Sequence, residues 1–236
     1  MAAQLTEMGW SARKNLSQAL ATGVVAIGLI ASHAHAGQTD EKDTKNLKNE
    51  GFVELLDGKT LSGWEALENA ESWSVLPDGS VRGKGKRSHL FSLKEYTDVH
   101  FRADVKTDKG SNGGLYVRTT KTAKFPFPPA YEAQVNNTAP AKPRTGSLYI
   151  IAGSGRWTTP VQIKQSPVSD NEWWTEEIIV KANHIVIRVN GKTVVDYVDK
   201  GKTHPTGYLA LQLHDPRSVV YYKNVMVKDL SKGTRE

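Results

Sequence analysis

From Gly51 onward the chain alternates apolar and polar residues in short runs, and no segment sustains a helical apolar period. Val99, Phe101, Ala103 and Val105 fall on one side of such a run, with His100, Arg102, Asp104 and Lys106 on the other. This is the period of a strand with one buried face. Ile185–Val189 and Lys192–Val195 flank Asn190-Gly191, a dipeptide suited to the type I′ turn, so the spacing predicts a hairpin. Leu209, Leu211 and Leu213 alternate with Ala210, Gln212 and His214, and a last strand runs from Val219 through Tyr222 to Val227. Roughly a dozen short strands with regular turn signals predict an all-β fold, a two-sheet antiparallel jelly-roll sandwich.

The pattern changes at both ends. Residues 37–50 are charged and polar, with Leu47 the one apolar side chain after Gly37, and read as a flexible lead-in to a sandwich over 51–230, followed by a polar tail at 231–236. Before them, Arg13 and Lys14 precede an apolar run from Ala19 to Ala31 that ends in Ala34-His35-Ala36. This is the layout of a signal peptide over 1–36 with an A-x-A cleavage site. The run is shorter than the roughly 20 residues of a membrane span, so an exported, soluble, periplasmic or extracellular protein is expected; a retained N-terminal anchor is the competing reading. The absence of cysteine rules out a lipid-modified Cys and a disulfide framework. The net charge of +6 is spread over scattered lysines, with no basic stripe interleaved with aromatics. Nucleic acid is therefore not an expected partner, and such a surface reads as a solubility feature or a mild attraction for acidic glycans and cell-envelope polymers rather than a binding site.

Alternation also sorts the polar residues by face. Tyr116 and Arg118 lie opposite Leu115 and Val117, Glu132 and Gln134 opposite Tyr131, Ala133 and Val135, and Gln212 and His214 opposite the leucines. If these strands share a sheet, its non-core face gathers a collection closer to an active site or polyol groove than to a solvated surface. Each residue also has a plainer role: Arg118 as a surface ion-pair partner, Glu132 as a solvated carboxylate, His214 at a strand end. His89, His100, His184 and His204 have no matching partners and read as surface residues. There is no Gly-x-Ser-x-Gly elbow, phosphate loop or paired-His zinc spacing, although Glu132 and His214 could share a divalent metal with open positions. Trp157 and the 125–129 loop offer apolar surface on which a sugar ring could stack; for the loop, covering a sheet edge is the plainer role.

The chain from Gly51 to Trp64, GFVELLDGKTLSGW, resembles the opening of the 3-keto-disaccharide hydrolase domain family. Further motifs follow in that family's order: Ser111–Arg118, Tyr131–Gln134, Thr145–Tyr149, Asn171–Trp174, Asn190-Gly191, Leu211–His214 and Tyr222–Val225. The resemblance implies a concanavalin A-like jelly roll with its ligand site on the concave face. It implies Arg118, Glu132 and His214 as catalytic, and Asn112, Tyr116, Gln134 and Gln212 within its motifs are expected to bind substrate, joined by Trp157 as the stacking aromatic. Three departures stand out. Gly113 replaces the family's Ser, Asn136-Asn137 an Asp-Asn pair, and Lys223 an Arg.

The chemistry implied is cleavage of a 3-keto-glycoside. The ketone acidifies the C2 proton, a base removes it, the C1 oxygen leaves, and water adds to the enone. A sugar 3-oxidoreductase could supply the keto form. A conventional glycosidase needs two carboxylates astride the bond, and only Glu132 is placed for that. A non-catalytic, lectin-like module of the cell envelope is the alternative.

Overall fold

A computed structural model describes residues 41–123, 127–153 and 155–231. The expected signal peptide, residues 37–40, Phe125 and Pro126 of the proline-rich loop, and the tail from 232 lie outside the described residues.

The charged lead-in differs from expectation in forming a helix, α1 (Glu41–Asn49). Its end accounts for it. Gly51 takes a φ of 91° and its N–H donates to Lys48 O, while Phe52 N–H donates to Leu47 O. This is a Schellman motif, which satisfies the last carbonyls and needs glycine at the left-handed position. Phe52 then packs edge-on against His100, with ring centroids 4.8 Å apart.

Fifteen strands follow among the described residues. One sheet runs β13 (Lys192–Val198), β12 (His184–Val189), β11 (Trp174–Lys181), β6 (Val99–Thr107), β15 (Val219–Asp229), β4 (Val81–Lys84), β3 (Trp73–Val75), with β1 (Val53–Glu54) also on β15. The other runs β10 (Arg156–Val161), β9 (Leu148–Gly153), β8 (Ala130–Val135), β7 (Gly113–Thr119), β14 (Gly207–Leu213), β5 (Ser88–Tyr96), β2 (Trp64–Ala66). All pairings are antiparallel. The predicted hairpin is β12–β13, with φ of 50° at Asn190 and 73° at Gly191, the positive values a type I′ turn requires.

The core lies between the sheets, where Val99, Phe101, Ala103 and Val105 of the first meet Leu115, Ala133, Leu209, Leu211 and Leu213 of the second, all fully buried. A smaller apolar cluster of Phe91, Tyr116, Ala130, Ile151 and Ala210 lies on the other face of the second sheet. That sheet therefore buries side chains on both faces, as expected where its outer face is a lined cleft rather than open surface.

Of the register shifts that interrupt the alternation, two bear on the core and the site. In β15 the register slips between Lys223 and Met226, with Asn224 at φ 47°, so core contacts pass from Val220 and Tyr222 to Val225 and Val227. In β7, Thr119 pairs with Tyr208 and Tyr116 with Ala210, leaving Val117 and Arg118 together opposite Leu209. Arg118 adopts a φ of 51°, the left-handed conformation of a bulge residue. At the edge of the same sheet, β10 carries Pro160, which has no N–H to offer a further strand. No helix among the described residues is long and apolar enough to cross a membrane.

Candidate functional site

The outer face of the second sheet holds a cavity of about 290 Å³, close to the lower end of small-ligand sites. Tyr116, Glu132, Gln134, Gln212 and His214 line it, five of the six residues that strand alternation put on one face, together with Asn112 and Trp157. Trp157 stands on β10 rather than in a loop, half exposed, as an aromatic rim.

Arg118 is the exception and a correction. The bulge turns it away from the cleft, and its guanidinium is spent on structure: it donates to Ala182 O (2.7 Å), His204 O (2.9 Å), Thr97 O and the Asp98 carboxylate (3.0 Å). Period-two reasoning fails here because one extra residue inverts every side chain beyond it.

Glu132 is 5% exposed and sits in a pocket of donors. Tyr116 stands directly opposite Glu132 across β7 and β8, where a hydrogen bond to the carboxylate favours its charged form, and Tyr116 Oη accepts from Gln212 Nε2 at 2.5 Å. With its amide turned to suit its neighbours, Gln134 donates to Glu132 Oε1 and to Gly113 O, both at 3.1 Å. Burial still wins, and with the nearby Glu176 carboxyl it raises Glu132 to about 8 against the opposing Tyr116 hydrogen bond. Glu132 therefore holds a proton at neutral pH.

His214 is shifted the other way. Burial lowers it below its usual 6.5, opposed by the neighbouring Asp215 carboxylate. Its Nδ1 lies 3.2 Å from Asp215 Oδ2, which fixes the Nδ1–H tautomer and leaves Nε2 with a free lone pair. The ring stacks on Phe127 at 5.1 Å, and its backbone N–H donates to Asn112 O at 3.2 Å. One cleft thus holds a protonated carboxyl and a neutral imidazole.

Several lining residues were not anticipated. Tyr149 and Ile151 supply walls beside Phe127 of the anticipated 125–129 loop, and Lys142 is the one lysine or arginine in the lining. Tyr149 faces Glu132 across β8 and β9, so alternation on the Thr145–Tyr149 motif would have found it; Lys142 sits in a loop, where no periodicity applies. His89, expected at the surface, is 1% exposed and packs beneath the cleft with its ring 5.3 Å from that of Tyr116. His204 is also buried, edge-on to Tyr131 at 4.8 Å. His100 is partly buried and pairs with Glu177 at 2.6 Å, while His184 pairs with Asp196 at 2.7 Å on the surface. No cluster of three His, Cys, Asp or Glu side chains suited to a metal occurs among the described residues, so Glu132 and His214 have no third ligand of those types.

The three departures have local explanations. A Cβ on Gly113 would lie 2.8 Å from both Gln212 O and Tyr222 Oη, and Tyr222 Oη donates to Gln212 O, so the tyrosine hydroxyl fills the space a serine would take. Asn136 donates to Ala141 O (2.7 Å) and Pro143 O (3.1 Å) and accepts from Ala139 N (2.9 Å). An ionised Asp could not donate, and these bonds shape the loop that carries Lys142. Lys223 lies over Trp173 at 4.2 Å on the first sheet, apart from the cleft.

Solved structures of similar fold support the architecture. A candidate glycosyl hydrolase of Parabacteroides distasonis is similar with a TM-score of 0.65 and 22% identity over 78% of this chain and 96% of its own. The carbohydrate-binding module CBM66 of Bacillus subtilis gives 0.58 and 18% over 70% and 95%. The exoplasmic domain of VIP36 gives 0.55 and 13% over 76% and 88%. No protein of curated function matches the sequence. Residues 51–228 match the 3-keto-alpha-glucoside-1,2-lyase-like domain, and the chain belongs to that family.

Proposed function

We propose that the protein cleaves 3-keto-glycosides by elimination followed by hydration, with His214 as base and Glu132 as acid. The observation that carries this reading is the opposed displacement of the two groups in one cleft: a carboxyl pushed up to about 8 beside an imidazole pushed below 6.5. Divergent proton affinities in neighbouring groups divide acid from base.

His214 Nε2, held by Asp215, takes the C2 proton, and the C–H electron pair moves toward C1 as the C1–O bond breaks. The leaving oxygen takes its proton from Glu132, which becomes a carboxylate welcomed by Tyr116 and Gln134. In the second half Glu132 removes a proton from water as its oxygen adds to C1, and His214 returns the proton to C2. The sum is hydrolysis with both groups restored. Charge on the C3 oxygen needs a facing donor; with Arg118 committed elsewhere, Lys142 takes that role. Trp157 stacks against the sugar or aglycone beyond the scissile bond. The substrate's ketone must come from an oxidation at C3, so a sugar 3-oxidoreductase is the expected functional partner.

The test is incubation of purified protein with 3-keto-glucosides and their unoxidised parents, with and without chelator. Release of aglycone from the keto forms alone, lost in Glu132→Gln and unaffected by chelator, is expected. Binding of sugar without turnover would instead favour a lectin-like module.

A further inference from the structure

From beneath the cleft into it, five side chains stand in series. Glu68 Oε1 lies 3.4 Å from His89 Nδ1, His89 Nε2 lies 3.3 Å from Gln212 Nε2, Gln212 Nε2 donates to Tyr116 Oη at 2.5 Å, and Tyr116 stands directly opposite Glu132 across β7 and β8. His89 and Gln212 are each 1% exposed, and Arg87 grips Glu68 at 2.9 and 3.3 Å.

The direction of the chain follows from donor and acceptor counts. Ionised Glu68 can only accept, so His89 carries its proton on Nδ1 and presents a lone pair at Nε2. That lone pair takes one Gln212 N–H, which orients the amide so that its nitrogen also faces Tyr116. Tyr116 Oη then accepts from Gln212 and has its single proton left for Glu132. Were the amide reversed, Gln212 Oε1 would draw that proton away. We infer that Glu68 and His89 are positioning residues, acting through Gln212 and Tyr116 to aim the tyrosine proton at Glu132. This rests on the proposed role of Glu132 only for its functional meaning; the relay itself exists without turnover.

The test uses ligand-free protein. Nitrogen-15 spectra should show His89 protonated at Nδ1, and carbon-13 spectra, assigned with Glu132→Gln, should follow the Glu132 carboxyl. Tyr116→Phe removes the donor directly and should raise the Glu132 midpoint by about half to one pH unit, the worth of one hydrogen bond. His89→Phe fits among Phe91, Tyr116 and Phe127 and should raise it in the same direction, with no addition in the double variant. Glu68→Leu should act likewise, and Glu68→Gln should restore part of the effect because its carbonyl still accepts. The other groups facing Glu132, namely Tyr149, Glu176, Tyr222 and His214, and those facing His89, namely Arg87 and His214, remain in place throughout. A midpoint moved by Tyr116→Phe and unmoved by both His89→Phe and Glu68→Leu, or a His89 proton on Nε2, overturns the relay. Absence of turnover on 3-keto-glucosides would sink the proposed reaction and leave these measurements standing.

Discussion

Gly114 and Glu132 are diagonal neighbours on β7 and β8, and a Cβ on Gly114 would lie 3.0 Å from both Cγ and Cδ of Glu132. The glycine leaves the space that the carboxyl occupies. Its backbone is ordinary strand, so Gly114→Ala should fold, yet it must push the carboxyl aside. A displacement on the scale of an ångström lowers turnover by about 100-fold. Steady-state kinetics on a 3-keto-glucoside beside a thermal melt should show that fall in kcat with a Tm close to the parent's.

The assignment of acid and base fixes the shape of the pH profile. Activity should rise as His214 loses its proton below 6.5 and fall as Glu132 loses its own near 8, giving a plateau around neutrality. Asp215 raises His214, so Asp215→Asn should move the acid limb to lower pH and leave the alkaline limb in place. Profiles of kcat/KM for the two proteins decide it; an unmoved acid limb would remove His214 as the base.

Arg118 should matter for folding. It is 3% exposed and ties Thr97, Asp98, Ala182 and His204 together. Arg118→Met would leave three carbonyls and a carboxylate short of a donor, at a cost of about 3 kcal/mol. Denaturant unfolding should register that loss, while the folded fraction keeps its kcat.

Glu176, fully buried between the sheets, accepts from Trp174 Nε1 at 3.0 Å and is raised by burial to about 8 from 4.5. The sign follows from proton counts. Between these values the unfolded chain has already released a proton that the folded chain keeps, so stability from this group is full below 4.5 and is lost as pH rises toward 8. Buried His89, His204 and His214, all lowered from 6.5, act in the opposite sense in any variant that retains them. The difference between Glu176→Gln and the parent isolates the carboxyl: unfolding curves at pH 5 and pH 8 should show the variant gaining on the parent at the higher value.

The sandwich, its hairpin and most of the cleft were legible because a strand writes its two faces into alternate letters. Tyr116, Glu132, Gln134 and Gln212 arrived on one face from periodicity alone. Arg118 did not, since nothing in its neighbours' hydrophobicity announces an extra residue opposite Leu209. His89 was lost for another reason. Its partners, Glu68 and Gln212, lie far along the chain, and only the pairing of β5 with β14 brings Gln212 beside it. The helix at 41–49 was hidden by its polarity, although Gly51 and Phe52 spell its ending.

Pro160 has a wider consequence. The strand that displays Trp157 toward solvent is also the outermost ribbon of its sheet, and the imino acid withholds a donor that an incoming chain would need for continuous pairing. Copies of this protein can therefore crowd together at high concentration while resisting templated, edge-to-edge growth along that border.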